Sequence, residues 1–256
     1  MSEKITEKDL EQIFIASRLK KKNPLWIFLK FVVIFILVFA VVYFALNYSA
    51  YIQKIKFWYR DEFIPSEKPL SDIILGPSDV NKEKDSYFPN IEDNSIFVER
   101  IDIKAPITFR VENEEKAVSD NLKKGVIHIA GTSLPGENGN VFITGHSSNY
   151  PWVSSKYNAV FALLDKEVIG DLILVKFQNV NYVYQIEEKF VVGPTETSVM
   201  NVYAEYPTLT LMTCTPVGTN LNRLIIRAKQ ILPDPRNNIG GSIEEQNTNR
   251  LPAGVR

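Results

Sequence analysis

The stretch that decides the fold is Thr208-Leu209-Thr210-Leu211-Met212-Thr213-Cys214, which ends in the only cysteine of the 256-residue chain. Its β-branched and apolar residues predict a strand that delivers Cys214 to its far end. Residues 223–231 predict the next strand, and the segment between them holds Pro216 and Gly218 as turn formers. This hairpin predicts that the Cys214 thiol and the Arg223 guanidinium lie on facing strand ends. The thiol suits the role of a nucleophile, and the guanidinium suits that of an oxyanion stabiliser.

Short runs of alternating apolar residues, separated by Gly, Pro and Asn, fill the chain between Asn90 and Leu232. Eight such runs predict a mainly β fold, a closed or nearly closed barrel or a sandwich. The runs cover residues 95–103, 107–111, 126–130, 140–144, 172–177, 182–192, 208–213 and 223–231. Short helices are predicted over residues 114–122 and 160–164.

An apolar segment near the N-terminus, residues 25–46, has Lys30 as its single charge. About 20 apolar residues cross a bilayer, so the segment predicts a transmembrane helix over residues 24–46. A cleaved signal peptide is the alternative, but the stretch is too long and no small-x-small site follows it. Basic residues cluster before the segment and are more spread out after it, which predicts a cytoplasmic N-terminus and an extracytoplasmic domain. The preceding cluster consists of Arg18, Lys20, Lys21 and Lys22.

The predicted organisation has five parts. A cytoplasmic tail (1–23) and the transmembrane helix (24–46) precede an extracytoplasmic, proline-containing stalk (47–89). The β domain spans 90–232, and the polar residues 233–256 predict a disordered tail. The formal net charge of −1, without a basic excess, argues against nucleic acid as a partner.

Three side chains are the candidate catalytic residues: Cys214, His146 and Arg223. His146 follows Gly145 at the exit of the run 140–144, where side chains face solvent or a cleft. A thiol becomes nucleophilic as the thiolate, which a nearby imidazolium or guanidinium favours. Taken singly, each residue has an alternative role: a buried inert thiol, a hydrogen-bonded surface histidine and a solvated ion-pair partner.

Other chemistries have weaker support in the sequence. There is no CxxC or HxxxH spacing for zinc, no glycine-rich phosphate loop that opens a helix and no GxSxG nucleophile elbow. Glu137, Asp165 and Asp171 are interpreted as turn and solvated-face residues. We therefore predict neither a cofactor nor a metal site.

The motifs together resemble the sortases, the membrane-anchored cysteine transpeptidases of bacterial surfaces. Residues 210–214 match the TLxTC signature of that family, and Arg223 opens the following strand as the family's arginine does. The pair Gly145-His146 follows a short strand, and residues 131–136 are similar to a GTxxPG loop. The resemblance covers about residues 96–232.

The resemblance implies an eight-stranded β-barrel with a groove that leads to Cys214. The thiolate would attack the Thr–Gly carbonyl of an LPxTG-like sorting signal on a surface protein, and an amine from a cell-wall precursor or a pilin lysine would resolve the thioester. His146 would act as acid and base, and Arg223 would steady the oxyanion. Thr213, Thr210 and His128 are the predicted substrate-binding residues; for His128 a satisfied core or pocket-wall role is the alternative.

The subclass implied is housekeeping or class D/E-like. Residues 214–220 are similar to the pilin-polymerising class C, but the stalk lacks a DPW/DPF-like lid motif and the C-terminal residues are polar. Leu251-Pro252-Ala253-Gly254 is similar to the start of a sorting signal, but no apolar segment follows it. We interpret that similarity as a chance match.

Two other functions fit the same residues. A thiol protease would resolve the same acyl-enzyme with water. A non-catalytic, membrane-tethered β-barrel would bind envelope partners and keep Cys214 inert.

Overall fold

The computed structural model describes residues 6–8, 10–11, 23–63, 89–200, 206–240 and 250–252. The chain divides into two compact units, Met1–Ala45 and Leu46–Arg256. The first unit contains nearly all of helix α1 (Pro24–Leu46), whose mean hydropathy is 3.0 and which has no buried residue. At 1.5 Å per residue this helix is about 34 Å long, enough to cross a bilayer core.

The second unit is built on eight strands that close into a barrel, in the order β1-β2-β3-β4-β7-β8-β6-β5. The strands are β1 (Ser95–Val98), β2 (Ile103–Val111), β3 (Val126–Ile129), β4 (Asn140–Thr144), β5 (Leu172–Phe177), β6 (Val180–Val192), β7 (Thr208–Thr215) and β8 (Asn222–Leu232). The pairs β2–β3 and β4–β7 are parallel, and the other neighbours are antiparallel. The predicted eight-stranded β-barrel is confirmed.

Side chains alternate between the two faces of each strand, so the barrel has an interior and an outer face. All eight strands contribute to one interior core: Ile96, Val98, Ala105, Ile107, Val126, Val141, Ile143, Ile173, Val175, Tyr184, Ile186, Leu209, Leu211, Leu224, Ile226 and Ala228. The alternate residues of β3, β4, β7 and β8 face outward, where a second apolar surface forms.

This second surface, which we call the outer-face cluster, lies between an α-helix (Glu115–Leu122) and a 3₁₀ helix (Thr197–Met200). Helix α2 (Tyr48–Phe63) follows α1, and helix α3 (Glu115–Leu122) lies between β2 and β3. Helix α3 and a 3₁₀ helix (Thr197–Met200) supply the two walls of the cluster. Its buried members are Val111, Val118, Leu122, Ile127, Ile129, Phe142, Val199, Met200, Met212, Ile225 and Leu251.

The structure differs from the sequence prediction in two elements of the domain. The predicted run 95–103 is split into β1 and the start of β2 by a turn, in which Asp102 has φ 50° and donates its N–H to Glu99 O at 3.0 Å. Aspartate tolerates this left-handed conformation. The predicted helix 160–164 is a series of turns that ends in a 3₁₀ helix (Leu164–Lys166). The other predicted helix is present as α3.

The predicted stalk contains helix α2, for which the sequence analysis gave no element. Ala50 is fully buried against Ala159 and Ala162, and Phe57 packs against the interior core. The stalk prolines Pro65, Pro69 and Pro77 lie outside the described residues.

The described part of the predicted disordered tail also has structure. It includes a 3₁₀ helix (Pro235–Asn237), and the side-chain amide of Asn238 forms two hydrogen bonds with the side-chain amide of Gln230 at the end of β8.

Candidate active site

Cys214 and Arg223 are directly opposite each other in the antiparallel β7–β8 ladder. Both side chains lie on the face that also presents Met212 and Ile225 to the outer-face cluster. The turn between the strands contains Gly218, which has φ 87°, a conformation that glycine adopts without steric strain. The hairpin therefore brings the thiol and the guanidinium together at the mouth of one sheet, as the sequence predicts.

His146 follows the end of β4, the other neighbour of β7. The parallel register pairs Thr144 with Met212, and Gly145 N donates to Met212 O at 3.2 Å. Adjacent strands lie about 4.8 Å apart. Because His146 and Cys214 each lie two residues beyond the paired Thr144 and Met212, the three candidate residues come from three adjacent strand ends.

The segment that follows β4 in the chain holds the backbone around His146. A Cβ atom on Gly145 would lie only 2.6 Å from Phe161 Cδ2, so this position requires glycine. Phe161 N donates to His146 O at 2.9 Å. Asn149 Nδ2 lies 3.3 Å from His146 Nε2. His146 is 8% exposed, which gives the ring a fixed, nearly buried position.

The guanidinium of Arg223 is fully buried. Its Nη1 donates to Asn220 O and Asn222 O, each at 3.0 Å. Its Nε and Nη2 have no hydrogen-bond partner among the described residues. A buried cation with two unused donors is costly, so such groups occur where they serve an anionic or carbonyl oxygen.

Burial and the neighbouring charges shift the pKa of Arg223 in opposite directions. Burial lowers the pKa of Arg223, and negative charge on Cys214 raises it. The Arg250 guanidinium lowers the pKa of Arg223 further. A thiolate at position 214 therefore stabilises the buried cation, and the cation stabilises the thiolate in return.

Two threonines of the TLxTC stretch hold neighbouring segments. Thr213 Oγ1 donates to Gly145 O at 2.8 Å, which joins the end of β7 to the residue before His146. Thr210 Oγ1 donates to Asn140 Oδ1 at 2.8 Å. Both hydroxyls are buried and bonded to protein groups.

Asn140 is a residue of the site that the sequence analysis missed. Its Nδ2 donates to Val199 O at 3.2 Å and to Met200 O at 3.0 Å, so it fixes the 3₁₀ wall of the outer-face cluster. In the sequence, the one sign of this role was a polar residue, Asn140, at the start of a strand that continues with Val, Phe and Ile. Its partners lie about sixty residues away in the chain, which no local pattern reveals.

His128 lies in the barrel core, because it alternates with Ile127 and Ile129, which face outward. Its Nδ1 accepts from Arg110 N at 3.2 Å, and its Nε2 lies 2.9 Å from both Ser133 O and Thr132 Oγ1. Burial lowers the pKa of His128 to about 4, so the ring is neutral at neutral pH. The structure thus brings Cys214 and Arg223 to one face of the sheet, and His128 to the other.

Comparison with known proteins identifies the family. A family model described as the Sortase domain matches residues 96–231, just over half of the chain. Sortase D of Bacillus subtilis (strain 168) is 28% identical over 159 residues, which is 60% of this chain and 72% of that protein. The chain belongs to the sortase family. Sortases are cysteine transpeptidases, and this membership supports a sortase-type transpeptidase activity in general.

Two solved structures are also similar to parts of this chain. A Clostridium perfringens sortase D5 transpeptidase is 28% identical with a TM-score of 0.45, and covers 68% of this chain and 93% of its own. Sortase C1 of Streptococcus agalactiae is 31% identical with a TM-score of 0.46, and covers 55% of this chain and 68% of its own. The assignment rests on the domain match, and the predicted subclass stays a prediction.

Proposed function

We propose that this chain is a cysteine transpeptidase that cleaves an LPxTG-like sorting signal and transfers the surface protein to an amine acceptor. The observation that carries the proposal is the buried Arg223 guanidinium opposite Cys214, with Nε and Nη2 unpartnered among the described residues. Two donors in a desolvated site beside a thiol suit the oxyanion of an acyl-transfer intermediate.

In the first half-reaction the Cys214 thiolate attacks the threonine carbonyl carbon of the signal. A C–S bond forms, and the carbonyl oxygen becomes an oxyanion that accepts hydrogen bonds from Arg223. The C–N bond then breaks, His146 gives its proton to the leaving glycine amine, and a thioester remains on Cys214.

In the second half-reaction an acceptor amine attacks the thioester. His146 takes a proton from that amine, the new C–N bond forms, and the C–S bond breaks to regenerate the thiolate. The acceptor is an amine of a cell-wall precursor or of a pilin lysine. Water at the same position would give hydrolysis, the activity of a thiol protease.

The outer-face cluster supports an apolar start to the recognised signal. It contains Met212 and Ile225, which form the next cross-strand pair on the same face of the hairpin as Cys214 and Arg223. A leucine side chain gains about 1.5–3 kcal/mol on full burial in such a surface. A Leu-Pro pair ahead of the scissile bond therefore suits the apolar surface that this cluster provides.

We also propose that α1 anchors the chain in the cell membrane, with the N-terminus cytoplasmic and the barrel extracytoplasmic. Support comes from the length and hydropathy of α1 and from the basic residues that precede it. Because Cys214 is the only cysteine, a membrane-impermeant thiol reagent tests the orientation. Labelling in intact cells is expected, and labelling only after lysis would contradict the proposed topology.

The function is tested with the full chain in detergent and a synthetic peptide that contains Leu-Pro-Ala-Thr-Gly. Mass spectrometry should find the fragment that begins with glycine and, when triglycine or a lysine peptide is added, a ligated product. Cys214→Ala should abolish both products. Cleavage without ligation by any amine would assign the chain to the hydrolases, and equal rates for the parent and Cys214→Ala would overturn the proposal.

A further inference from the structure

Leu251, in the described segment 250–252, is part of the outer-face cluster. Leu251 is 2% exposed and packs in the cluster that contains Phe142, Met212 and Ile225. Pro252 is buried as well. This segment belongs to the region that the sequence analysis assigned to a disordered tail, yet its apolar side chains lie in the body of the domain.

Residues that precede each wall of the cluster hydrogen-bond the backbone of this segment. Asn113 Nδ2, just before α3, donates to Arg250 O at 3.2 Å. Leu251 N donates to Pro194 O at 2.8 Å, in the chain between β6 and the 3₁₀ helix. The segment is therefore held by its main chain from two sides as well as by its leucine side chain.

The residues against which Leu251 packs are next to Cys214 and Arg223 in the hairpin. Met212 lies two residues before Cys214 on β7, and Ile225 lies two residues after Arg223 on β8, so each is one repeat of the strand away on the same face. That repeat is about 6.8 Å long. The charge of Arg250 acts on the Arg223 guanidinium and lowers its pKa. The segment thus packs against the side chains that neighbour Cys214 and Arg223 on the same face of the hairpin.

We propose that Leu251-Pro252 occupies the part of the groove in which the Leu-Pro of the sorting signal binds, and that it competes with the substrate within the same chain. The inference rests on the proposed function. It replaces the interpretation of Leu251-Pro252-Ala253-Gly254 as a chance match. Gly254 stands where the signal has threonine, so the segment shares the recognition half of the signal but lacks the residue whose carbonyl is attacked.

The first test is the peptide-cleavage rate of the full chain in detergent, with Leu251→Asp against the parent. Ile239→Asp is the matched control, because Ile239 is 67% exposed in the same C-terminal region. Apparent affinity scales with the fraction of molecules whose groove is open, so we expect Leu251→Asp to lower KM about tenfold with kcat unchanged. Leu251→Met should keep the parent KM, and Ile239→Asp should not change it.

The second test supplies the segment in trans. A peptide with the sequence of residues 250–256 should inhibit Leu251→Asp competitively, and the same peptide with aspartate in place of leucine should not. Intact-mass measurement should find the C-terminal residues uncut after prolonged incubation. Cleavage within the segment would overturn its role as a competitor.

A third measurement does not depend on catalysis. Hydrogen exchange at the Leu251 amide of the parent chain should be slow, and a saturating Leu-Pro-Ala-Thr-Gly peptide should accelerate it. If no variant cleaves any peptide, the proposed function fails. If the parent and Leu251→Asp cleave with the same KM, or if substrate leaves the Leu251 amide protected, the inference fails while the function stands.

Discussion

Cys214 and Arg223 are cross-strand partners on one face of the β7–β8 hairpin, and the guanidinium of Arg223 is completely buried. Partners in an antiparallel ladder have Cα atoms about 4.5–5.5 Å apart. The sulfur therefore has beside it a cation that two main-chain carbonyls hold by Nη1, while Nε and Nη2 are unpartnered among the described residues. In the proposed mechanism, this one side chain would stabilise both the thiolate and the oxyanion.

Arg223→Lys is expected to lower kcat about 10²–10³-fold, the range seen when one oxyanion donor is removed. Lysine keeps the charge but lacks the planar fork of donors. Arg227→Lys on the same face of β8, whose Nη1 bonds Glu188 at 2.6 Å, is the matched control and should change kcat little. Steady-state kinetics with the signal peptide measure both, and a parent-like kcat in Arg223→Lys would contradict the assigned role.

Thr213→Val should reduce kcat/KM about fivefold, because it removes one buried hydrogen bond worth about 1 kcal/mol. That bond joins Thr213 Oγ1 to Gly145 O and so fixes the strand end before His146. Thr213→Ser keeps the hydroxyl and should restore the rate. Equal activity of the valine and serine variants would show that the hydroxyl has no positioning role.

Asn140→Ala should raise KM about tenfold and change kcat less, because Asn140 holds Val199 and Met200 in the wall of the groove. Unfolding should become easier by about 1–3 kcal/mol, since buried partners lose their bonds. Asn140→Asp retains the acceptor for Thr210 but not the donors, and should share the KM defect. Exposed Asn237→Ala is the control, and a defect confined to kcat would oppose this account.

The alternating apolar runs and turn residues are local signals that predicted a barrel or a sandwich, and the resemblance to the sortases implied the eight-stranded barrel. The sequence also predicted that Cys214 and Arg223 would face each other, since only the short segment 216–221 joins their two strands. The roles of Asn140 and Leu251 depend on contacts between segments far apart in the chain, and no local pattern encodes them. The sequence analysis missed helix α2 because few of its residues pack against the domain, Ala50 and Phe57 among them, so its sequence has no sustained apolar period.

Glu167→Gln is expected to change how stability depends on pH. Glu167 is fully buried, and burial, followed by the charge of Asp171, raises its pKa from 4.5 to about 8. The protonated form is thus favoured in the fold, so its stabilising contribution is complete below about pH 4.5 and is lost as the pH rises through about 8.

The thermal midpoint of Glu167→Gln should exceed that of the parent by an amount that grows between pH 5 and about 8 and then levels off. Glutamine stays neutral at every pH and so keeps the uncharged state that burial favours for Glu167. The exposed Glu115→Gln should follow the parent curve. Parallel curves for the parent and Glu167→Gln would refute the assignment.

The most direct test of the central claim is the intact mass of the full chain after rapid mixing with the Leu-Pro-Ala-Thr-Gly peptide and acid quenching. We expect an added mass equal to the acyl part of the peptide, mapped to Cys214, removed by hydroxylamine and absent from Cys214→Ala. Peptide cleavage without any adduct on Cys214, at a rate that Cys214→Ala retains, would contradict it.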